Sequence, residues 1–171
     1  MNLKVLNATD APWYADGLSF TCTACGNCCT GGPGFVWVSD EEVARVAKHL
    51  KISIQEMTDR YCRTVSGKLS FKEVRRGGLY DCVFLREHPP GATADDGTPL
   101  RGRGCSIYPV RPLQCRTWPF WSENVKSEAA WNKAARKCHG MNHGERRFDR
   151  QAIESLRDAQ EWPKDPPSSK K

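Results

Sequence analysis

The sequence contains no long hydrophobic run, and none of its apolar stretches approaches the roughly 18 residues that a membrane-spanning helix needs. Its N-terminal segment, MNLKVLNATDAPWYADG, also lacks the basic region followed by an apolar region that marks a secretory signal peptide. These absences predict a cytoplasmic protein with no membrane association. In the cytoplasm disulfides are disfavoured, so clustered cysteines there indicate metal or redox sites.

Two kinds of binding motif are missing as well. No glycine-rich G-x-G-x-x-G loop follows a predicted strand, which argues against a dinucleotide-type cofactor site. No aromatic-rich RNA motif accompanies the basic residues, although the formal net charge is +6. A solvated basic surface explains this charge; the other interpretation is a partner that is an acidic protein or a nucleic acid.

Cysteine, in contrast, is abundant, and the odd total of nine argues against a fully paired disulfide scaffold. Four of the nine fall within FTCTACGNCCTGG: Cys22, Cys25, Cys28 and Cys29. A turn that returns every third side chain to one point suits a soft metal, because thiolates must converge at about 2.3 Å from the ion. Small or turn-prone residues fill the gaps and allow tight folding. We interpret this run as half of a metal or iron–sulfur site.

Four later cysteines lie beside turn residues or near the ends of predicted elements: Cys82, Cys105, Cys115 and Cys138. Backbone at such places can bend and direct the sulfurs to a common point. Cys62 differs, because it is predicted to lie within a helix beside Tyr61. We therefore interpret Cys62 as a small structural side chain.

Local patterns predict short strands and about four helices. Ser39 with Glu42, and Ser53 with Glu56, form capping boxes that begin two helices, the second of which ends near residues 61–65. The other predicted elements are helices over about 127–138 and 148–160, strands over 35–39, 68–75 and 79–85, and extended structure over 105–110. Residues 88–104 are predicted to form an exposed loop, and two prolines make residues 111–121 wrap without a long helix.

The predicted fold class is α+β, in a small single domain packed around a cysteine-ligated metal or iron–sulfur centre. The predicted organisation is an irregular lead-in over 1–19, the cysteine-cluster metal-binding domain over 20–162, and a disordered tail over 163–171. Trp13 and Tyr14 are expected to dock the lead-in onto the body. Hydrophobic residues make up only 39% of the 171 residues, so a metal would help to stabilise the core.

The segments CTACGNCC, CSIYPVRPLQCRTWPF and CHGMNHG, together with Cys82, resemble the CxxCxxCC proteins, a cysteine-cluster family of zinc- or iron-chelating domains. Flagellin lysine N-methylases contain a related domain. The resemblance covers about residues 20–144 and implies that all eight cysteines other than Cys62 are metal ligands. Family members commonly have Cys-Pro-Gly at the last cysteine, whereas this chain has Cys138-His139-Gly140, which weakens the assignment of Cys138.

Eight thiolates exceed the four that close a structural zinc site, so they suit two four-cysteine centres, or one cluster with extra cysteines. The repeated two-residue gaps followed by a remote cysteine match the arrangement that holds a four-iron cluster in bacterial ferredoxins. An iron–sulfur cluster, 4Fe–4S by this spacing, is therefore the favoured cofactor and zinc the next. Adjacent side chains point differently, so Cys28 and Cys29 are expected to serve two centres or to leave one sulfur spare.

Other residues near the cysteines have two interpretations each. Arg111 and Arg116 flank Cys115, and either offset the charge of the thiolates or simply tether a loop. The aromatic residues around Cys115 are expected to shield the site from water. His139 and His143 have the H-x3-H spacing of zinc fingers, but with thiolates plentiful we interpret them as surface residues or as neighbours of the ligands.

The sequence leaves three functions open. The favoured one is a cysteine-ligated metal protein with a structural, redox or metal-handling role. The alternatives are a structural zinc adaptor that binds protein or RNA, and an enzyme similar to protein-lysine methyltransferases, for which no catalytic residue can be named.

Overall fold

The computed structural model describes residues 11–93, 97 and 99–159, which form an α+β fold of short strands and helices. The predicted lead-in falls partly, and the predicted tail wholly, outside these residues. The strands are β1 Leu18–Ser19, β2 Thr30–Gly31, β3 Trp37–Val38, β4 Cys62–Val65, β5 Lys68–Phe71, β6 Glu73–Arg76, β7 Leu79–Cys82, β8 Leu85–Glu87, β9 Arg103–Cys105 and β10 Arg147–Phe148. The helices are α1 Asp40–Leu50, α2 Ile54–Tyr61, α3 Leu113–Arg116, α4 Ser122–Val125, α5 Glu128–Ala135 and α6 Arg150–Arg157. Within the described parts, no helix is long and apolar enough to cross a membrane.

The described residues divide into two compact units. The first unit contains residues 11–23 and 119–159, and the second contains residues 24–118 apart from positions 94–96 and 98. In the first unit, β1 pairs antiparallel with β10, and the core contains Phe120, Trp131, Phe148 and Ile153. The indole N–H of Trp13 donates to the carbonyl of Val125 at 2.7 Å, which ties residues 11–14 to this core.

Two three-stranded antiparallel sheets and a hairpin build the second unit. The sheets have the orders β3-β5-β4 and β2-β7-β6, and β8 pairs with β9. Helices α1 and α2 cover the first sheet. The most deeply buried side chains of these two helices are those of Val43, Val46 and Met57. Burying side chains of this size contributes about 1.5–3 kcal/mol each. The apolar core therefore lies mainly beside the sheet β3-β5-β4, whereas the sheet β2-β7-β6 carries Cys82 at the end of β7.

The structure confirms the helix starts that capping predicts. Ser39 and Glu42 form a reciprocal capping box at α1, and the Ser53 hydroxyl accepts from the Glu56 backbone N–H at α2. The helix predicted over about 127–138 is α5, which Ser127 caps; it ends at Ala135, so Cys138 lies just beyond it. Four of the described helices have eight or more residues, which matches the prediction of about four helices. The other two, α3 and α4, have four residues each.

Four local predictions were wrong. The segment 79–85 is not one strand, because a turn separates β7 from β8. Cys62 does not lie inside α2; it caps that helix and begins β4, because the chain turns to extended backbone there. The segment 68–75 is not one strand, since Lys72 separates β5 from β6 and its backbone N–H donates to the Tyr61 carbonyl at 2.7 Å. The segment after Cys105 forms a short 3-10 helix over Tyr108–Val110 in place of extended structure, with proline within it.

Glu42 connects α1 to α3 and gives a first testable prediction. Its carboxylate accepts from the backbone N–H of Leu113 at 2.7 Å and from that of Ser39 at 3.1 Å, and the residue is 6% exposed. Glu42→Ala leaves both donors without this partner, so we expect the free energy of unfolding to fall by about 2 kcal/mol in a urea titration. Glu41→Ala, on the exposed side of the same turn, should change it little. Equal stability of the two variants would contradict this role.

Candidate metal centre

The loop that contains the cysteine run folds tightly in the second unit. Ala24 and Gly26 adopt left-handed backbone, with φ of 52° and 69°, and a 3-10 turn follows over Asn27–Cys29. A Cβ on Gly26 would lie 2.7 Å from the backbone oxygen of Arg103, so only glycine lets the loop approach β9 this closely. The turn thereby brings Cys28 and Cys29 close to the strand that ends at Cys105.

Two other cysteines end strands of the same unit. Cys82 is the last residue of β7 and Cys105 is the last residue of β9, where it pairs with Leu85. The backbone N–H two residues further on acts on each thiol: that of Phe84 lowers the pKa of Cys82, and that of Ile107 lowers the pKa of Cys105. Such N–H groups favour the thiolate form, which is the form that binds metal.

Cys115 lies in the short helix α3, which β3 and α1 hold in place. The side-chain oxygen of Gln114 accepts from the Trp37 backbone N–H at 2.6 Å, and its amide nitrogen donates to the Phe35 carbonyl at 3.2 Å. Glu42 binds the first backbone N–H of the helix, that of Leu113. These bonds fix the two residues immediately before the cysteine, Leu113 and Gln114.

Five thiols influence one another and form the five-thiol cluster: Cys28, Cys29, Cys82, Cys105 and Cys115. The Sγ atoms of Cys28 and Cys29 lie 3.9 Å apart, and the interaction of Cys29 with Cys105 raises the pKa of Cys29 and lowers that of Cys105. The expectation that the adjacent sulfurs of Cys28 and Cys29 diverge is therefore not met, because the 3-10 turn brings both to the same cluster.

The pKa values of these thiols show a shared electrostatic environment. A hydrogen bond from Cys29 lowers the pKa of Cys28 to about 7, while hydrogen bonds to Cys105 and Cys28 raise that of Cys29. Burial, together with the charges of Cys105 and Cys28, raises the pKa of Cys82 to about 12. Burial, and then the charges of Cys82, Cys28 and Cys105, raise the pKa of Cys115 well above its usual value. A bound cation would relieve this repulsion, because it takes the place of the protons.

The donor set of the five-thiol cluster fits a soft metal. Thiolates at about 2.3 Å from a tetrahedral ion have sulfur–sulfur separations of about 3.8 Å, close to the 3.9 Å between Cys28 and Cys29. Among residues 11–93, 97 and 99–159, no group of three or more His, Cys, Asp or Glu side chains already has the arrangement that holds an ion. The cluster therefore fits a metal by the chemistry and proximity of its sulfurs, without a preformed coordination geometry. All nine cysteines are free thiols.

The three remaining predicted ligands are placed differently. Cys25 is half-buried in the same loop, three residues before Cys28. Cys22 and Cys138 belong to the first unit, where the Thr21 backbone N–H donates to the Gly140 carbonyl at 3.1 Å and holds their two segments side by side. Metal ligation by these three cysteines, as by the other five, remains a prediction, and His139 and His143 are both exposed.

Asp81 connects three cysteine-bearing segments, and sequence reasoning missed it. Its carboxylate accepts from the Thr30 hydroxyl at 2.5 Å and forms an ion pair with Arg103, and these contacts lower its pKa. Thr30 follows Cys29, Asp81 precedes Cys82, and Arg103 lies two residues before Cys105. The sign of this role in the sequence was a single carboxylate within the predicted strand LYDCVFL. Such a residue is usually interpreted as lying on the solvent-exposed face of the strand.

The comparisons with known proteins agree with this cysteine arrangement. The family model "CxxCxxCC: Putative zinc- or iron-chelating domain" matches residues 21–139, which is more than half of the chain. The chain is similar to "Uncharacterized protein MJ0661" of Methanocaldococcus jannaschii, with 33% identity over 108 residues. That alignment covers 63% of this chain and 48% of the relative, so the chain spans about half the length of that curated protein. No solved structure matches the chain.

Proposed function

We propose that this chain, which belongs to the CxxCxxCC family of zinc- or iron-chelating domains, binds an iron–sulfur cluster through the thiolates of the five-thiol cluster. The observation that supports this proposal is the proximity of cysteines from four separate segments: the loop before β2, the end of β7, the end of β9, and α3. Cysteines so far apart in the sequence have no local reason to meet. A shared metal centre is the chemistry that such convergence serves best.

The number of thiols favours a centre with more than one metal atom. A single structural zinc closes with four ligands, whereas five thiols lie in this cluster and Cys25 is in the same loop. When bound, an iron–sulfur cluster supplies one-electron redox chemistry and also cross-links the segments that hold it. The chain's own groups would supply thiolates, the N–H donors of Phe84 and Ile107, and a fixed scaffold around them.

Zinc is the second candidate, and one distance favours it. The 3.9 Å between the sulfurs of Cys28 and Cys29 matches the edge of a tetrahedral thiolate site of about 3.8 Å. In that case four of the sulfurs would close around the ion, and the role would be structural. The two candidates predict different optical and chemical properties.

Metal and sulfide analysis of anaerobically purified protein tests the proposal. We expect a brown protein with visible absorption that contains iron and acid-labile sulfide, because sulfide-bridged iron is the favoured centre. A colourless protein with stoichiometric zinc would replace the iron–sulfur proposal by the zinc candidate. Protein that contains neither metal, and takes up neither after anaerobic reconstitution, would contradict metal binding altogether.

A further inference from the structure

Arg111 is held rigidly beside the five-thiol cluster. It lies two residues before α3, and its guanidinium carbon is 3.5 Å from the centre of the Tyr108 ring. One of its terminal nitrogens also donates to the Tyr108 carbonyl at 3.0 Å. A guanidinium that is stacked on a ring and bonded to a carbonyl has lost most of its rotational freedom. Its position is therefore set by the turn that precedes Cys115.

Among the described residues, no carboxylate forms an ion pair with Arg111. In the parts of the chain that the structure describes, the six salt bridges involve other arginines. Arg111 is half-buried, and a charge in such a place needs a partner of opposite sign. Arg111 lies in the segment that joins Cys105 to Cys115. Its positive charge also acts on the thiols of Cys28, Cys105 and Cys115, where it opposes the rise in pKa that burial causes. These three thiols come from three of the four segments of the cluster.

We propose that Arg111 is a positioning residue of the metal centre, whose fixed charge offsets the negative charge of the metal–thiolate group. This inference rests on the proposed metal binding. Each thiolate added to a metal adds one negative charge, so a centre with four or more thiolates carries a net negative charge in a half-buried place. A nearby cation that cannot move away stabilises that state without serving as a ligand.

Arg116, the last residue of α3, provides a matched comparison. It follows Cys115 directly, as close in sequence as any arginine can be, but it is exposed. Its charge is therefore screened by water and by salt. From the sequence alone, the two arginines are equivalent candidates for a role beside the thiols. In the structure, Arg111 is the one of the two that is held against a ring and a carbonyl.

Titration with Co²⁺ alone, followed by thiolate-to-cobalt absorption, tests the inference on the reduced full chain. We expect Arg111→Gln to weaken Co²⁺ binding by about tenfold, as loss of such supporting groups commonly does. The absorption at saturation should stay the same, because no ligand is lost. Arg111→Lys should recover part of the affinity and remain about threefold weaker than the wild type, and Arg116→Gln should bind like the wild type. Equal affinities of Arg111→Gln and Arg116→Gln would overturn the inference.

Two controls distinguish the role of Arg111 from metal binding itself and from a loss of folding. If the wild type and Arg116→Gln both fail to bind Co²⁺, the proposed metal binding itself is refuted. If both bind Co²⁺ and Arg111→Gln binds it equally well, only the role of Arg111 is refuted. If Arg111→Gln does not fold, Arg111→Lys and Arg116→Lys replace the pair. We then expect a loss of about threefold in Arg111→Lys alone, because lysine keeps the charge but not the planar stacking. Equal affinities in that pair would also overturn the inference.

Discussion

Replacing Cys115 by serine is expected to remove the bound metal and to destabilise the second unit strongly. The thiol belongs to the five-thiol cluster, and α3 is connected to the rest of the unit through Gln114 and Glu42. A metal that binds only the folded chain stabilises it by about 4 kcal/mol when its free concentration is 1,000 times Kd. Loss of that contribution should lower the melting temperature by roughly 10 °C. Metal analysis and a thermal melt of the same preparation measure both effects.

Cys62 supplies the control for this experiment. It is 5% exposed in the apolar core, among Val46, Met57 and Phe71, and does not belong to the five-thiol cluster. Cys62→Ala should keep the full metal content and lose about 1 kcal/mol of stability, as a small core truncation does. Cys25→Ser should behave like Cys115→Ser if Cys25 is a ligand. Identical metal content in all three variants would refute the ligand assignment.

Replacing Asp81 by alanine is expected to weaken metal binding by about a hundredfold, the upper end of what supporting groups contribute. The reason is that Asp81 holds Thr30 and Arg103, and thereby the backbone beside Cys29 and Cys105, while it precedes Cys82 itself. One substitution thus releases three cysteine-bearing segments. Co²⁺ titration gives the affinity, and urea unfolding gives the accompanying loss of stability.

The double variant Asp81→Ala with Arg103→Ala distinguishes positioning from the effect of an unpaired charge. Removing Arg103 as well should restore part of the stability, because the guanidinium no longer lacks its carboxylate. It should not restore metal affinity, since the three segments remain unconnected. Asp59→Ala, which removes an exposed carboxylate on α2, is expected to change neither quantity. Full recovery of affinity in the double variant would contradict a positioning role.

The parts of the fold that sequence predicts well depend on local interactions. The caps of α1, α2 and α5 involve a serine and the backbone three residues later, so the pattern is visible without the rest of the chain. The division of residues 68–75 between two sheets is different, because the hydrogen bond from Lys72 to Tyr61 depends on where α2 ends. No pattern within those eight residues contains that information.

In the candidate site, too, the features that depend on local interactions can be predicted from the sequence, and the others cannot. The spacing of Cys25, Cys28 and Cys29 indicates a metal loop from sequence alone, since ligand geometry is a local constraint. That Cys82, Cys105 and Cys115 meet this loop could only be inferred from a family resemblance. The bonds that place them, from Asp81 to Arg103 and from Glu42 to Leu113, join residues far apart in the chain. Partners at such distances leave no periodic signal in a single sequence.

The wide spread of the five-thiol cluster along the chain has a consequence for biosynthesis. Cys28 and Cys29 leave the ribosome long before Cys115, which lies in α3 at the far end of the second unit. During that interval the early thiols cannot form a complete site, so they are open to oxidants and to adventitious ions. Loading should therefore begin only after residue 118 has been synthesised. Cells that delay metal delivery until translation ends should give a better-occupied protein than those that supply excess ion throughout.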